Sequence, residues 1–281
     1  MTGIVYPAIV MGGLGLIFGA LLAFASKKFY VEVDSRQADI RALLPGANCG
    51  GCGFPGCDGY AQALINGDGN ITACAAGGSA LSESLAAILG IEPVKAEPKI
   101  AFLKCKGSND KTVKDCVYYG EYDCRAAAVV PGKGPTSCAY GCMGLGTCVT
   151  VCPFNAMTIV NGLAVVDPEK CVGCGACVEN CPRNVLTLVP RKSKVNVSCN
   201  SPLKGPDVKK VCSAGCIGCT LCVKSCPVEG AIAMKGALAE IDPEVCINCG
   251  ICAAKCPTKC ITDRRTCEEK AAFAAQETAT V

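Results

Sequence analysis

Cysteines in three closely similar runs are the residues of this chain best suited to do chemistry. Each run has the form C-x2-C-x2-C-x3-C-P, with four thiols at fixed spacing before a proline. Three thiolates in a seven-residue loop can bind three corners of a [4Fe–4S] cubane, and the fourth, after a short helical turn, faces a partner site. The runs are Cys171, Cys174, Cys177, Cys181; Cys216, Cys219, Cys222, Cys226; and Cys246, Cys249, Cys252, Cys256.

A fourth run is altered to C-x3-C-x5-C-x3-C-P. When it is aligned with the regular runs on the proline, Cys142, Cys148 and Cys152 take the first, third and fourth cysteine places, and Leu145 takes the second. Cys138, four residues upstream of Cys142, could supply the missing thiol. The alternative is that this cluster is lost or has three ligands. We predict one cluster on Cys138, Cys142, Cys148 and Cys181, and its partner on Cys171, Cys174, Cys177 and Cys152.

An internal repeat supports this pairing. The segment CPFNAMTIVNGLAVVDPEKC resembles CPVEGAIAMKGALAEIDPEVC, and each predicts a β-hairpin between two cysteine runs. Asn161-Gly162 is a strong signal for a type I′ turn, and Lys235-Gly236 occupies the corresponding place. The second unit is therefore expected to hold one cluster on Cys216, Cys219, Cys222 and Cys256, and another on Cys246, Cys249, Cys252 and Cys226.

A separate group of four cysteines precedes these units with the spacing C-x2-C-x4-C-x16-C. Glycines between the first three allow the backbone to wrap closely and to aim N–H groups at sulfur. Residues Asp58 to Ile65 are predicted to form a short helix that ends at Asn66-Gly67. A zinc site with four cysteine ligands is the alternative to a [4Fe–4S] cluster here. The group consists of Cys49, Cys52, Cys57 and Cys74.

Seven cysteines lie outside these five predicted cluster sites. A sixth metal site from Cys105, Cys116, Cys124 and either Cys199 or Cys212 is a further expectation. Free buried thiols, which behave as small apolar residues, are the alternative. Cys260 and Cys267 are expected to be peripheral.

Composition narrows the class of protein. The chain has 281 residues and 27 cysteines, and their tight grouping favours metal binding over disulfides in a reducing, cytosol-like compartment. It has no histidine, which excludes His-ligated zinc and haem, Rieske centres and histidine acid–base catalysis. The formal net charge of +3 is too small to indicate nucleic-acid binding.

The N-terminus predicts a membrane anchor. Residues 2–26 carry no charge, and the mainly apolar stretch Ile4 to Ala25 can cross a hydrocarbon core of ~30 Å as a helix. Lys27 and Lys28 follow, which predicts that the rest of the chain is cytoplasmic. A cleaved signal peptide is the alternative, but a basic n-region is missing. We expect a single-pass protein of the cell (cytoplasmic) membrane.

The predicted fold class is a set of small α+β iron–sulfur domains behind one transmembrane helix. Pro93 and Pro98 interrupt regular structure after the first of these domains. The predicted segments are an anchor (1–28), a four-Cys [4Fe–4S] domain (33–90), a Cys-containing linker region (91–135), a first ferredoxin-like unit (136–190), a connector (191–211), a second ferredoxin-like unit (212–262) and a tail (263–281).

These motifs together resemble the RnfB family, the B subunits of Rnf ion-translocating oxidoreductases. The resemblance rests on the apolar N-terminus, on NCGGCGFPGCDGYA with the distant Cys74, and on CAYGCMGLGTCVTVCPFNA from Cys138 to Ala156. It covers residues 1 to about 258, and the second ferredoxin-like unit is similar to the longer versions found in this family.

The resemblance implies an electron carrier with five [4Fe–4S] clusters and room for a sixth. Its partners would be soluble ferredoxin, the membrane and other membrane and NAD-binding Rnf subunits, in a complex that couples ferredoxin and NAD redox chemistry to Na+ or H+ movement. The sequence agrees, since we find no G-x-G-x-x-G between a strand and a helix and no P-loop. A membrane-tethered protein that stores or assembles iron–sulfur clusters is the alternative.

Overall fold

The fold was analysed in a computed structural model that describes residues 2–29, 35–94 and 97–270. The chain divides into two compact units, Met1–Asp39 and Ile40–Val281. The larger unit has several small cores rather than a single one, and cysteine side chains pack in or against all five of those in the described residues. This division agrees with the prediction of small cysteine-rich domains.

The N-terminal unit is dominated by helix α1 (Thr2–Lys28). Its stretch Val10–Lys28 has a mean hydropathy of 1.7, and none of it is buried within the protein. At ~1.5 Å per residue the whole helix is longer than the ~30 Å hydrocarbon core of a bilayer. The helix is therefore long and apolar enough to cross a membrane, as predicted.

The first cysteine domain consists of α2 (Ser35–Leu43), α3 (Gly56–Asn66) and α4 (Gly78–Leu89). Their apolar faces meet around Tyr60 and Leu85, which are almost completely buried. Helix α3 ends where Gly67 adopts the left-handed conformation and donates its N–H to the carbonyl of Leu64. The helix predicted from Asp58 to Ile65 is confirmed, with additional residues at both ends.

The rest of the described chain consists of short strands and helices that position cysteines. Four antiparallel two-stranded sheets are present: β1 (Lys99–Leu103) with β4 (Leu186–Pro190), β2 (Met157–Val160) with β3 (Leu163–Val166), β5 (Val195–Val197) with β8 (Ile261–Asp263), and β6 (Ile232–Lys235) with β7 (Leu238–Ile241). The helices are α5 (Cys124–Val129), α6 (Thr147–Thr150), α7 (Ala176–Glu179), α8 (Gly205–Val211), α9 (Leu221–Lys224) and α10 (Ile251–Lys255).

The predicted hairpins and helical turns are confirmed. Strands β2 and β3 join at Asn161 and Gly162, whose φ angles of 48° and 75° fit a type I′ turn. Strands β6 and β7 form the equivalent hairpin in the second unit. Helices α6, α7, α9 and α10 each lie just before the fourth cysteine of a run, so that this cysteine turns away from the other three.

Each ferredoxin-like unit also recruits a strand from the segment that precedes it. Strand β1 pairs with β4 at the end of the first unit, and β5 pairs with β8 at the end of the second. Residues Ile100 to Leu103 are all buried, because both faces of β1 are covered. The region 91–135, expected to be a linker, thus contains a strand that packs as part of the first unit.

Candidate iron–sulfur sites

The four cysteines of the first domain surround one cavity. The loop that carries them turns at Gly50, Gly53 and Gly56, whose φ angles of 71°, 86° and 80° are readily adopted only by glycine. Asn48 Oδ1 accepts the backbone N–H of Cys57 at 2.8 Å and fixes the end of this loop. The cavity measures about 370 Å³ and is lined by the four cysteines of this domain, Cys49, Cys52, Cys57 and Cys74, and also by Cys174.

Two cavities in the ferredoxin-like units are lined by predicted ligand sets. In each of them three thiols come from one run and the fourth comes from the paired run. The first cavity, of about 330 Å³, is lined by Cys171, Cys174, Cys177 and Cys152. The second, of about 350 Å³, is lined by Cys216, Cys219, Cys222 and Cys256.

In the last predicted set, Cys246, Cys249, Cys252 and Cys226, burial and neighbouring thiols raise the pKa of Cys246 and of Cys252. Burial is the main cause that raises the pKa of Cys246, and the nearby thiols of Cys249 and Cys226 raise it further. The backbone N–H of Asn248 donates to Cys246 Sγ at 3.4 Å. Cys246 therefore lies near the thiols of Cys249 and Cys226 in a partly buried position.

The altered run differs from its predicted arrangement. Its cavity measures about 340 Å³ and includes Cys124 in place of Cys138. Cys138 instead lines a neighbouring cavity. The thiols around the altered-run cavity are Cys124, Cys142, Cys148 and Cys181.

A hydrogen-bonded contact between α5 and α6 explains the position of Cys124. The carboxylate of Asp123 caps α5 by accepting the N–H of Arg125 at 2.6 Å. It also accepts the hydroxyl of Thr147 at 3.0 Å, and Thr147 Oγ1 accepts the N–H of Cys124 at 2.6 Å. These bonds hold Cys124 close to Cys148, the residue after Thr147. The only local signal in the sequence is an N-capping Asp directly before a cysteine.

The neighbouring cavity lies between the two ferredoxin-like units, and we call it the junction cavity. It measures about 440 Å³ and is lined by Cys105, Cys138, Cys199 and Cys212. Gly141 lies at one side of it, where an added Cβ would be in van der Waals contact with Cys138 Sγ at 3.4 Å. The sixth site predicted on Cys105, Cys116, Cys124 and Cys199 is thus not assembled, because Cys124 belongs to the altered-run cavity and Cys116 is exposed.

The two peripheral cysteines of the sequence prediction have different environments. Cys267 is exposed, as expected. Cys260 is instead only 3% exposed and lines the cavity of Cys216. It is buried because β8 pairs with β5 and carries the preceding residues into the core of the second unit.

The chemistry of these cavities fits multinuclear iron–sulfur clusters. All 27 cysteines are free thiols. Burial raises the pKa of Cys105, Cys148 and Cys177 to about 12, so a bound cation is needed to hold them as thiolates. Within the described ranges, no three His, Cys, Asp or Glu side chains gather closely enough to hold one metal ion. Thiols spaced around a cavity suit a cubane better than a single zinc ion.

Backbone N–H groups point at several of these sulfur atoms. Ala101 donates to Cys171 Sγ, Ala156 to Cys152 Sγ, and Cys142 to Cys105 Sγ, each at 3.4 Å. Such bonds favour the more negative, reduced form of a bound cluster and so tune its potential.

Adjacent cavities share walls. Cys174 lines both its own cavity and that of the first domain, where Gly51 packs against its carbonyl group. Cys142 lines both the altered-run cavity and the junction cavity. The first-domain cavity therefore adjoins that of Cys171, and the altered-run cavity adjoins the junction cavity.

Arg183 lies beside both the altered-run cavity and the loop that leads to the junction cavity. Its guanidinium donates to Thr136 Oγ1 at 2.8 Å, to the carbonyl of Cys138 at 2.7 Å and to that of Gly141 at 3.0 Å. Burial lowers its pKa, but the neighbouring thiols of Cys138 and Cys142 oppose this shift. A positive charge at this position stabilises added negative charge on either site.

We expect Arg183→Gln to lower the reduction potential of an adjacent cluster by tens of millivolts. An interaction of about 1.4 kcal/mol corresponds to ~59 mV for one electron. Redox titration followed by electron paramagnetic resonance measures the shift. Arg183→Lys, which retains the charge, is the matched control, and an equal shift in both variants would assign the effect to lost hydrogen bonds instead.

Family comparisons agree with the assignment of cysteines to iron–sulfur domains. A model described as a putative Fe-S cluster matches residues 44–76. Three models described as 4Fe-4S dicluster domains match residues 133–182, 164–234 and 215–260. The chain therefore contains several [4Fe–4S] domains of the ferredoxin type.

Curated relatives cover most of the chain. It is 43% identical over 214 residues to the B subunit of the Na(+)-translocating ferredoxin:NAD(+) oxidoreductase complex of Acetobacterium woodii, matching 76% of this chain and 64% of that one. It is 44% identical to the B subunit of the proton-translocating ferredoxin:NAD(+) oxidoreductase complex of Clostridium ljungdahlii, over 76% of each chain. The identity to the B subunit of the ion-translocating oxidoreductase complex of Methanosarcina acetivorans is 43%, over 84% of this chain and 89% of that one. The chain therefore belongs to the family of B subunits of the Rnf ion-translocating ferredoxin:NAD(+) oxidoreductase complexes.

Proposed function

We propose that this chain relays electrons between soluble ferredoxin and the membrane part of an Rnf-type complex that couples ferredoxin and NAD redox chemistry to Na+ or H+ translocation. The observation that carries this proposal is the set of thiol-lined cavities, two pairs of which share a wall, in a member of this family. Bound [4Fe–4S] clusters supply one-electron chemistry, whereas the protein supplies ligands, burial and hydrogen bonds. NAD binding and ion movement are assigned to partner subunits.

The cysteine runs, together with cavities at four of the sets, support five cluster sites. They differ from the sequence prediction only in the altered run, where Cys124 replaces Cys138. The proposed ligand sets are Cys49, Cys52, Cys57, Cys74; Cys124, Cys142, Cys148, Cys181; Cys152, Cys171, Cys174, Cys177; Cys216, Cys219, Cys222, Cys256; and Cys226, Cys246, Cys249, Cys252.

The junction cavity is proposed as the sixth cluster site. The four thiols proposed as its ligands, Cys105, Cys138, Cys199 and Cys212, form two equivalent pairs, as expected for a site that joins the two units. Cys105 stands two residues after β1, and Cys199 stands two residues after β5. Cys138 precedes Cys142 by four residues, and Cys212 precedes Cys216 by four.

Hydrogen bonding around the junction cavity has the same two-fold pattern. The N–H of Cys142 donates to the thiol of Cys105, and the N–H of Cys216 donates to the thiol of Cys199. In each case the donor is a proposed ligand of the adjacent cluster. This pattern supports a junction site that adjoins a proposed cluster site in both units.

Helix α1 is proposed to anchor the chain in the cell membrane, with the cysteine domains on the cytoplasmic side. Lys27 and Lys28 at its end support this orientation, because positive residues favour the cytoplasmic face. Soluble ferredoxin is a cytoplasmic-side partner in this arrangement.

Anaerobic purification of the full chain in detergent tests the proposal. We expect about 24 irons and 24 sulfides per chain, and bleaching of the visible absorption when reduced ferredoxin is added. About 20 irons would leave the relay intact but would remove the junction site. An iron-free protein, or one that reduced ferredoxin does not bleach, would contradict the proposed function.

A further inference from the structure

Cys260 adds a fifth thiol to a cavity that needs only four ligands. The cavity of Cys216, Cys219, Cys222 and Cys256 is also lined by Cys260. The Cys260 side chain is 3% exposed, and its Sγ lies 3.8 Å from Cys256 Sγ. The two sulfur atoms therefore reach the same side of the cavity.

The equivalent cavity in the first unit provides an internal comparison. Cys152 and Cys256 occupy the same place in their runs, and the residues four positions later are Ala156 and Cys260. The N–H of Ala156 donates to Cys152 Sγ, just as the N–H of Cys260 donates to Cys256 Sγ. Ala156 is also buried and lines its cavity. The two units thus share this backbone arrangement and differ by the thiol.

We propose that Cys260 is an exchangeable ligand that can replace Cys256 at one iron of this cluster. In the exchange, the bond from iron to Cys256 sulfur breaks, the bond from iron to Cys260 sulfur forms, and a proton passes from Cys260 to Cys256. No electron is gained or lost, so the step needs no oxidant or reductant. The inference rests on the proposed function, because it requires a bound iron–sulfur cluster.

The exchange gives the second unit a reserve ligand for one iron, which the first unit lacks. Cys256 is partly exposed, whereas Cys260 is buried. Alkylation or oxidation of the Cys256 thiol would therefore leave an intact thiol within reach of the same iron. In the first unit, loss of Cys152 leaves only the methyl group of Ala156 at this position.

Iron content of anaerobically purified full-length variants tests the inference. We expect Cys256→Ala and Cys260→Ala each to retain the wild-type iron content, and the double variant to lose between one and about four irons. Cys152→Ala is the matched control, and it should lose iron like the double variant. Adding Ala156→Cys to Cys152→Ala should restore the lost iron.

Equal iron content in Cys256→Ala and in the double variant would overturn the inference. The electron paramagnetic resonance spectrum of reduced Cys256→Ala gives a second readout, because a changed ligand alters the signal of one cluster and leaves the others unchanged. An unchanged spectrum in this variant would also overturn it. These outcomes are distinct from failure of the proposed function, in which the wild-type chain would lack iron or would not accept electrons from ferredoxin.

Discussion

Replacing Cys124 with alanine should remove the cluster of the altered run, a loss of about four irons per chain. Replacing Cys138 should remove a different cluster, the one proposed at the junction cavity. The physical reason is that Asp123 and Thr147 hold Cys124 beside Cys148, whereas Cys138 lines the cavity that also contains Cys212. Iron and sulfide analysis of anaerobically purified variants measures both losses.

Double variants separate the two assignments. Cys138→Ala with Cys212→Ala should lose about four irons, because both thiols belong to one site. Cys124→Ala with Cys138→Ala should lose about eight, because the thiols belong to two sites. Cys267→Ala, which alters an exposed thiol, is the control and should retain all the iron. If the Cys124 and Cys138 double variant loses only four irons, the two cysteines serve a single cluster and the assignment is wrong.

Replacing Cys249 with alanine should block the entry of electrons from ferredoxin and leave the first-domain cluster in place. We propose that ferredoxin delivers electrons to the second unit and that the first domain, which follows the membrane helix in sequence, passes them to the membrane subunits. Removing a ligand of the entry site should slow reduction by ferredoxin at least ~10-fold, equivalent to a barrier increase of about 1.4 kcal/mol. Stopped-flow absorbance after mixing with reduced ferredoxin measures the rate.

A matched variant in the first domain serves as the control for the Cys249 variant. Cys57→Ala should lose the first-domain cluster and still accept electrons from ferredoxin at the wild-type rate. A Cys249 variant that ferredoxin reduces at full speed would place electron entry elsewhere. A Cys57 variant that is slowed instead would reverse the proposed order of the sites.

The regular cysteine runs were predictable from sequence because their geometry is local. Three thiols within a seven-residue loop converge whatever surrounds them, and a proline after the fourth makes it turn away. The same locality explains why the hairpin at Asn161-Gly162 and helix α3 were predicted correctly. The apolar N-terminal helix follows from composition alone.

The thiols that lie outside these runs were not predictable, because long-range contacts decide their partners. The sequence indicated Cys138, four residues upstream of Cys142, as the ligand missing from the altered run, and it placed Cys124 in a possible sixth site instead. The hydrogen bonds among Asp123, Cys124 and Thr147 join segments that no spacing rule connects. They place Cys124 at the altered-run cavity and leave Cys138 at the junction.

The chemistry of this protein, the number of its regular cluster motifs and its apolar N-terminal helix can all be read from the amino-acid sequence, since each depends on neighbouring residues. Which distant thiols share a cavity depends instead on how the chain folds. Packing of the two units assembled the junction cavity from one equivalent pair of cysteines in each, and the pairing of β5 with β8 buried Cys260 beside Cys256. Contacts between segments far apart in the chain leave no regular spacing in the sequence, because every such contact depends on the fold as a whole.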